Sequence, residues 1–212
     1  MQISDTERVG DAATVAASDW GAEQSRIVTW HDPIATQPTV ASMSGLSYWR
    51  TVADGQLPHP PIGALLQMRV VDVEPGRIAF SCTPDASMYN PLGMVHGGAV
   101  CTLLDTVAGS ALHSTLPEGI GYTSIEIKVN YLKSVTLASG DLTAVGTVVK
   151  AGSRVGFTEA AVTDASGALV ATATSTLLIF DMPSPAGHSS DNGASTRTMR
   201  QHRNGKIPFI FE

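Results

Sequence analysis

The segment from Gly98 to Ser114 most constrains how this 212-residue chain can fold. Its apolar residues follow helical spacing but run nearly all round the helix: Ala99, Val100, Leu103, Leu104, Val107, Ala108, Ala111 and Leu112. A helix that is apolar on most sides is stable in water only when other elements cover it. The sequence therefore predicts one long central helix, with the rest of the domain folded around it.

Strand-like runs stand on both sides of this helix in the sequence. They cover residues 66–73 and 77–83 before it, and residues 122–132, 141–150, 154–164 and 168–180 after it. In the run 122–132, apolar residues at every second position alternate with polar ones, which is typical of a strand buried on one face. We therefore predict an α+β domain in which a curved antiparallel sheet wraps around the helix.

The two ends of the chain differ from this core in composition. Residues 1–43 are rich in Ala, Ser, Thr and Asp without a sustained period, so we predict a flexible leader. Ser44 is suited to cap a short helix over residues 44–53, the start of a domain that spans 44–182 with its core at 60–181. Residues 183–212 mix Pro, Gly, Ser and Arg, and we predict a flexible basic tail there.

Charge and composition exclude several classes of protein. The net charge of −6 disfavours a nucleic-acid binder, which would show clustered Lys and Arg. No run reaches the ~18 apolar residues of a membrane helix, and the N-terminus does not read as a signal peptide. Cys82 and Cys101 each stand in an apolar run and are expected to be buried and reduced. We therefore expect a cytoplasmic protein without nucleic-acid or membrane partners.

The motif N-P-L-G-M-V-H-G-G at residues 90–98 leads directly into the central helix. The first N–H groups of a helix have no partner within it, and the helix dipole is positive there. The N–H groups of Gly97 and Gly98 could therefore hold a developing oxyanion, unless the two glycines only permit a tight turn. Asn90 could donate a second hydrogen bond through its amide, or be an ordinary turn residue before Pro91.

Two titratable residues near this motif could act as a base. Asp105 is the only carboxylate of the helical segment, and burial by its apolar neighbours would raise its pKa and make it a better base. It could instead be an exposed helix residue, or a carboxylate capped by a neighbouring hydroxyl. For His96 we favour a structural or carbonyl-positioning role, because the positive helix end disfavours protonated imidazole.

These residues together resemble a known family. Asn90, the His-Gly-Gly at 96–98, Asp105 and the strand T-S-I-E-I-K-V-N-Y-L-K at 123–133 are similar to the hotdog-fold acyl-CoA thioesterases of the phenylacetic-acid-degradation (PaaI-like) group. The likeness covers residues 60–180. It implies dimers joined edge to edge through their sheets, often paired again into tetramers, and hydrolysis of an acyl-CoA thioester by water without a metal.

The resemblance also implies a role for each matching residue. Asn90 and the backbone N–H of Gly97 would polarise the thioester carbonyl. Asp105 would act as the general base or, in another account of the family, as a nucleophile, and Ser124 would orient the water. Ser124 also falls on the polar side of its strand, so it could simply face solvent; neighbouring Thr123 would then take its place.

Spacing along the helix adds a constraint on this site. Gly97 and Asp105 are eight residues apart, which is about 12 Å along a helix that rises ~1.5 Å per residue. A reacting atom must lie about 3 Å from both its oxyanion donors and its base. We therefore predict that each site pairs Gly97 of one chain with Asp105 of another, so that the dimer is required for catalysis.

Four further residues are predicted to bind the substrate. Arg154, and with it Lys150, could contact the phosphates of coenzyme A, although a solvated charge at a strand end is an equally good interpretation. Met94 and Val95 could line an apolar acyl slot, although core packing explains them equally well. We predict no cofactor beyond the coenzyme A of the substrate, and no metal, because no histidine has Cys, Asp or Glu partners at ligand spacing.

The sequence thus favours an acyl-CoA thioesterase that forms at least a homodimer, with a homotetramer expected. One alternative is a hotdog dehydratase or hydratase in which His96 is the base. Another is a non-catalytic hotdog module that binds acyl-CoA. A regulator of that second kind usually carries a DNA-binding domain, and residues 1–43 show no helix-turn-helix pattern.

Overall fold

A computed structural model describes residues 21–182 of the chain. The helices are α1 (Pro33–Ala41), α2 (Gly45–Ala53), α3 (Pro61–Leu65) and α4 (Gly97–His113). The strands are β1 (Met68–Glu74), β2 (Arg77–Cys82), β3 (Ile120–Tyr131), β4 (Leu142–Ala151), β5 (Val155–Thr163) and β6 (Leu169–Asp181). Each predicted strand and the predicted central helix is present, with ends shifted by no more than a few residues.

The six strands form one sheet in the order β1-β2-β4-β5-β6-β3, and every neighbouring pair is antiparallel. Among the described strands, β3 pairs with β6 alone and is therefore an edge strand of this sheet. Helix α4 lies against the sheet so closely that a Cβ at Gly146 would come 2.1 Å from the carbonyl oxygen of Val107. The predicted α+β architecture, an antiparallel sheet around one long helix, is confirmed.

Helix α4 is buried most completely in its second half, where every residue from Val107 to His113 is buried. Its first half has an open side, with Gly98 exposed and Cys101 and Thr102 half-buried. The helix ends at Ser114, whose hydroxyl accepts a hydrogen bond of 2.8 Å from the N–H of Gly76 in the β1–β2 turn. This bond ties the C-terminal end of the helix to the first hairpin.

The segment 1–43 that was predicted to be a flexible leader contains a helix, α1, at Pro33–Ala41. Asp32 caps α1 by accepting a hydrogen bond from the N–H of Ile34, and Pro33 occupies the first turn. No residue of α1 is buried, so the helix has no apolar face from which a sequence pattern could predict it. Residues 1–20 of the leader and the predicted tail at 183–212 lie outside the described residues.

Edge strand β3 departs from the simple alternation expected of it. A bulge between Ser124 and Glu126 leaves Ile125 without a partner on β6, and the Ile125 side chain is 57% exposed. Tyr131 at the end of the strand is 55% exposed. A long edge with exposed apolar side chains is a surface onto which another strand can pair.

Candidate active site

The Asn90 side chain shapes the turn that leads to helix α4. Its Oδ1 accepts hydrogen bonds from the N–H groups of Leu92 (2.9 Å) and Met94 (3.3 Å), and its backbone N–H donates to the Met94 carbonyl (2.7 Å). Because the amide oxygen is occupied twice, the orientation of the amide is fixed and its NH₂ group is left to donate. The turn role and the donor role predicted for Asn90 are therefore compatible.

The peptide group between Gly97 and Gly98 is held at both ends. The N–H of Gly98 donates to Nδ1 of His96 (2.8 Å), and the hydroxyl of Tyr131 donates to the Gly97 carbonyl (2.9 Å). The Gly98 N–H is thus already used, contrary to the substrate-binding role predicted for it. Within residues 21–182 the N–H of Gly97 donates to no group, and it stands at the positive end of α4.

His96 acts as the N-cap of α4. Its Nδ1 accepts the hydrogen bond from Gly98, so that nitrogen carries no proton, and in the neutral ring the proton is on Nε2. The ring has no nitrogen left to accept a proton from a substrate while the cap is intact. This geometry favours the structural role for His96 over the role of a base.

A cavity of about 320 Å³ opens beside this turn. Asn90, Met94, Val95, Gly97 and Tyr131 are among the residues that line it. Met94 and Val95, which were predicted to line an acyl slot, therefore border the same cavity as the predicted carbonyl donors Asn90 and Gly97. Sequence reasoning assigned no role to the Tyr131 side chain, although its strand belonged to the recognised motif.

Asp105 lies farther along α4, where it meets the edge strand. The hydroxyl of Ser124 donates a hydrogen bond of 2.7 Å to Oδ1 of Asp105. Asp105 is half-buried rather than enclosed, because it faces β3 while its neighbours Leu104 and Val107 face the core. Thr123 makes no hydrogen bond to this carboxylate.

The carboxylate and the carbonyl donors lie in separate places within one chain. Asp105 and Ser124 line a second cavity of about 460 Å³, and this cavity shares no residue with the one beside Gly97. Their separation follows from the eight helical residues, about 12 Å, between Gly97 and Asp105. One chain alone therefore does not bring the predicted catalytic groups onto one carbonyl.

The predicted phosphate contacts lie elsewhere again. Arg154 borders a cavity of about 540 Å³ together with Thr115 and Pro117, beyond the C-terminal end of α4. Lys150 is exposed near the end of β4. Since the 17 residues of α4 span about 25 Å, neither base is near the Gly97 turn of the same chain. Their role in binding coenzyme A stays a prediction that requires a second chain.

The two cysteines differ from each other. Cys82 is buried as expected, and burial raises the pKa of its thiol to about 11. Cys101 is half-buried on the open side of α4, one turn before Asp105, so the expectation of burial is wrong for it. Residues 21–182 contain no group of three His, Cys, Asp or Glu side chains that could hold a metal ion.

Comparison with known proteins gives a consistent picture. Residues 92–171 match the Thioesterase superfamily. A candidate esterase of Halobacterium salinarum is 43% identical over 72 residues, which are 33% of this chain and 46% of that protein, so the match spans about half of that relative. Human acyl-coenzyme A thioesterase 13 is 27% identical over 106 residues, 50% of this chain and 74% of that protein.

Solved structures share the same architecture. The PaaI protein of the Escherichia coli phenylacetic acid degradation operon superposes with a TM-score of 0.57 at 20% identity, covering 66% of this chain and 98% of that one. A Silicibacter pomeroyi thioesterase family protein gives 0.57 at 26% identity, with 63% and 98% coverage. A Streptococcus mutans protein bound to acetyl-CoA gives 0.50 at 28% identity, with 54% and 90% coverage.

These likenesses confirm the predicted hotdog-type fold. Within residues 21–182, no helix is long and apolar enough to cross a membrane. The matched segment holds the Gly97 turn, helix α4 and strands β3 to β5, together with the Ser124–Asp105 hydrogen bond. The chain thus has a hotdog-type fold, and its residues 92–171 match the Thioesterase superfamily.

Proposed function

We propose that this protein is an acyl-CoA thioesterase, which hydrolyses an acyl- or aryl-CoA thioester to a free acid and coenzyme A. The observation that carries the proposal is the hydrogen bond from Ser124 to Asp105, which orients a carboxylate in the wall of a cavity. The free N–H of Gly97 at the start of α4 supports it from the carbonyl side. The match of residues 92–171 to the Thioesterase superfamily and the likeness to human acyl-coenzyme A thioesterase 13 support the same chemistry.

Hydrolysis assigns one task to each group. The N–H of Gly97 and the NH₂ of Asn90 donate to the thioester oxygen, where negative charge develops. Asp105 takes a proton from water while that water attacks the carbonyl carbon, and Ser124 holds the carboxylate in place. Collapse of the tetrahedral intermediate breaks the carbon–sulfur bond, and the thiolate of coenzyme A leaves and takes up a proton. Direct attack by Asp105 would give a mixed anhydride, which water then hydrolyses.

The proposed site requires two chains. Strand β3 is the free edge of the sheet, and it carries Ser124 and the exposed Ile125. Edge-to-edge pairing of β3 with the same strand of a second copy would bring groups of the partner chain to the cavity that Asp105 lines. Such a homodimer is part of the proposal. The homotetramer and the cytoplasmic location stay predictions from sequence.

Release of free thiol from benzoyl-, phenylacetyl- and hexanoyl-CoA tests the proposal, with wild type and Asp105→Asn assayed side by side. We expect turnover of at least one thioester by wild type, and a loss of about 10²- to 10⁴-fold in the variant. Tight binding without turnover would instead identify an acyl-CoA-binding module. Undiminished turnover by Asp105→Asn would contradict the role given to this carboxylate.

A further inference from the structure

Tyr131, at the end of edge strand β3, lies against the start of helix α4. Its hydroxyl donates a hydrogen bond of 2.9 Å to the carbonyl of Gly97. The ring packs directly on Gly97, since a Cβ at that position would come 3.2 Å from Cζ and 3.3 Å from the hydroxyl oxygen of Tyr131. Tyr131 also borders the cavity that Asn90 and Gly97 line. It therefore contacts the residue whose N–H donates to no group within residues 21–182.

Burial of apolar surface does not account for this contact. Tyr131 is 55% exposed, whereas Ala171 and Leu177 of the neighbouring strand β6 are fully buried. A hydrogen bond between groups that water can reach adds little net stability, because water replaces the lost partner when the bond is removed. The contact therefore matters more for the geometry of Gly97 than for the stability of the fold.

A bulge in β3 is the reason that Tyr131 faces the helix. Ser124 pairs with Leu177 on β6, and Tyr131 pairs with Ala171, six residues away from Leu177. Paired residues share a face of the sheet, and side chains an even number of positions apart in a strand also share a face. Ser124 and Tyr131 therefore both lie on the face that α4 covers. In a strand without the extra residue Ile125, their separation of seven positions would place them on opposite faces.

Gly97 needs such a contact because two successive glycines leave the backbone free to rotate. The peptide that carries the Gly97 N–H is bonded at its other end, where the His96 carbonyl accepts from the N–H of Ala99 (2.9 Å). The next peptide is bonded through the Gly98 N–H to His96 and through the Gly97 carbonyl to Tyr131. Of these three bonds, only the bond from Tyr131 comes from the sheet. It therefore fixes the orientation of Gly97 relative to β3.

We propose that Tyr131 is a positioning residue for thioester hydrolysis, whose hydroxyl holds the backbone of Gly97 so that the Gly97 N–H points at the thioester oxygen. This inference rests on the proposed thioesterase function. A donor stabilises the oxyanion only when it is aimed at the place where the charge develops. A misplacement of about 1 Å can cost about 10²-fold in rate. Loss of the hydroxyl should therefore slow the chemical step and leave substrate binding nearly unchanged.

Steady-state kinetics of Tyr131→Phe test this role, because phenylalanine keeps the ring against Gly97 and removes only the hydroxyl. With the fastest substrate among benzoyl-, phenylacetyl- and hexanoyl-CoA, we expect kcat to fall by about 10- to 100-fold while KM stays within about twofold. Tyr89→Phe is the matched control, because the Tyr89 hydroxyl also bonds a backbone group, accepting from the N–H of Leu137 (2.8 Å). An unchanged kcat in Tyr131→Phe, a rise in KM alone, or an equal loss in Tyr89→Phe would overturn the role.

The carbonyl stretching frequency of a bound thioester gives a second readout, which a loss of folded protein would not move. Donors that polarise the carbonyl lower this frequency, and infrared difference spectra measure it when the thioester carbonyl carries an isotope label. The Asp105→Asn background keeps the thioester intact during the measurement. We expect the downshift on binding to shrink when Tyr131→Phe is added and to persist when Tyr89→Phe is added. Equal frequencies with and without the Tyr131 hydroxyl would overturn the proposal.

The possible results separate the two proposals. Hydrolysis by wild type, with kcat and the carbonyl frequency both insensitive to Tyr131→Phe, would overturn the role of Tyr131 and leave the thioesterase function standing. If wild type hydrolyses none of the thioesters, the proposed function fails, and spectra of wild type and Tyr131→Phe with labelled phenylacetyl-CoA still test the contact. A downshift that depends on the hydroxyl would support the positioning of Gly97. An absent downshift, or no binding of phenylacetyl-CoA, would overturn it.

Discussion

A site shared between two chains can be tested by mixing two inactive variants. Asp105→Asn removes the base and should lower kcat by about 10²- to 10⁴-fold. Asn90→Asp keeps the oxygen that accepts from Leu92 and Met94, so the turn is preserved, but it replaces the NH₂ donor with a negative charge. Loss of one donor to an oxyanion costs about 10²- to 10³-fold in kcat. Each variant alone should therefore be nearly inactive.

The mixed dimer behaves differently because each site takes its donor from one chain and its base from the other. One site of the mixed dimer combines both defects, whereas the second combines the intact Asn90 of one chain with the intact Asp105 of its partner. Random association makes about half of the dimers mixed, so the mixture should recover about one quarter of wild-type activity. Mixed dimers purified through two different affinity tags should recover about one half.

The assay is thiol release at saturating substrate, after joint refolding or co-expression of the two variants. A mixture without activity, in which mixed dimers are nevertheless isolated, would refute the shared site and place all catalytic groups within one chain. Joining both substitutions in one chain and mixing it with wild type gives the control. If the site is shared, each of the two sites in that mixed dimer carries one defect, and activity should be nearly lost. If all catalytic groups lay within one chain, the wild-type chain would keep an intact site, and about one half of wild-type activity would remain.

Three further results are expected from single substitutions. Ser124→Ala removes the hydrogen bond that orients the Asp105 carboxylate and should lower kcat by about 10- to 100-fold. Thr123→Ala, which removes no hydrogen bond to this carboxylate, should leave kcat unchanged. Gly146→Ala places a methyl group 2.1 Å from the Val107 carbonyl oxygen and should lower the free energy of unfolding in urea by at least ~1–3 kcal/mol. An unchanged midpoint of urea unfolding would contradict the close contact between α4 and β4. Burial lowers the pKa of His113 from 6.5 to about 4 in the folded protein. As the pH falls from 6.5 to 4, the unfolded chain takes up a proton at His113 before the folded chain does, so the free energy of unfolding should fall by up to ~3 kcal/mol. This loss should be absent in His113→Phe.

The sequence was sufficient to predict the sheet and the central helix because their patterns are local. The alternation of apolar and polar residues at 122–132 and the apolar surface of α4 are each visible within a short stretch of sequence. Helix α1 could not be predicted in this way, since none of its residues is buried. The exposure of Ile125 also escaped prediction, because a bulge is a property of the pairing with β6 rather than of β3 alone.

The candidate site shows the same division between local and long-range information. The turn at Asn90 and the helix start at Gly97 were predictable from neighbouring residues. The engagement of the Gly98 N–H by His96 depends on a side-chain rotamer, and the contact of Tyr131 with Gly97 joins residues 34 positions apart.

The position of β3 in the sheet also determines when the catalytic geometry can arise. Within residues 21–182 this strand hydrogen-bonds only to β6, the last of the six described strands to be synthesised, and Ser124 pairs with Leu177 about fifty residues later. Loops of that length close late and slow the folding of a chain. Nascent chains that stop before residue 169 contain Ser124 but lack β6, so the hydrogen bond from Ser124 to Asp105 should form only after β6 has been synthesised.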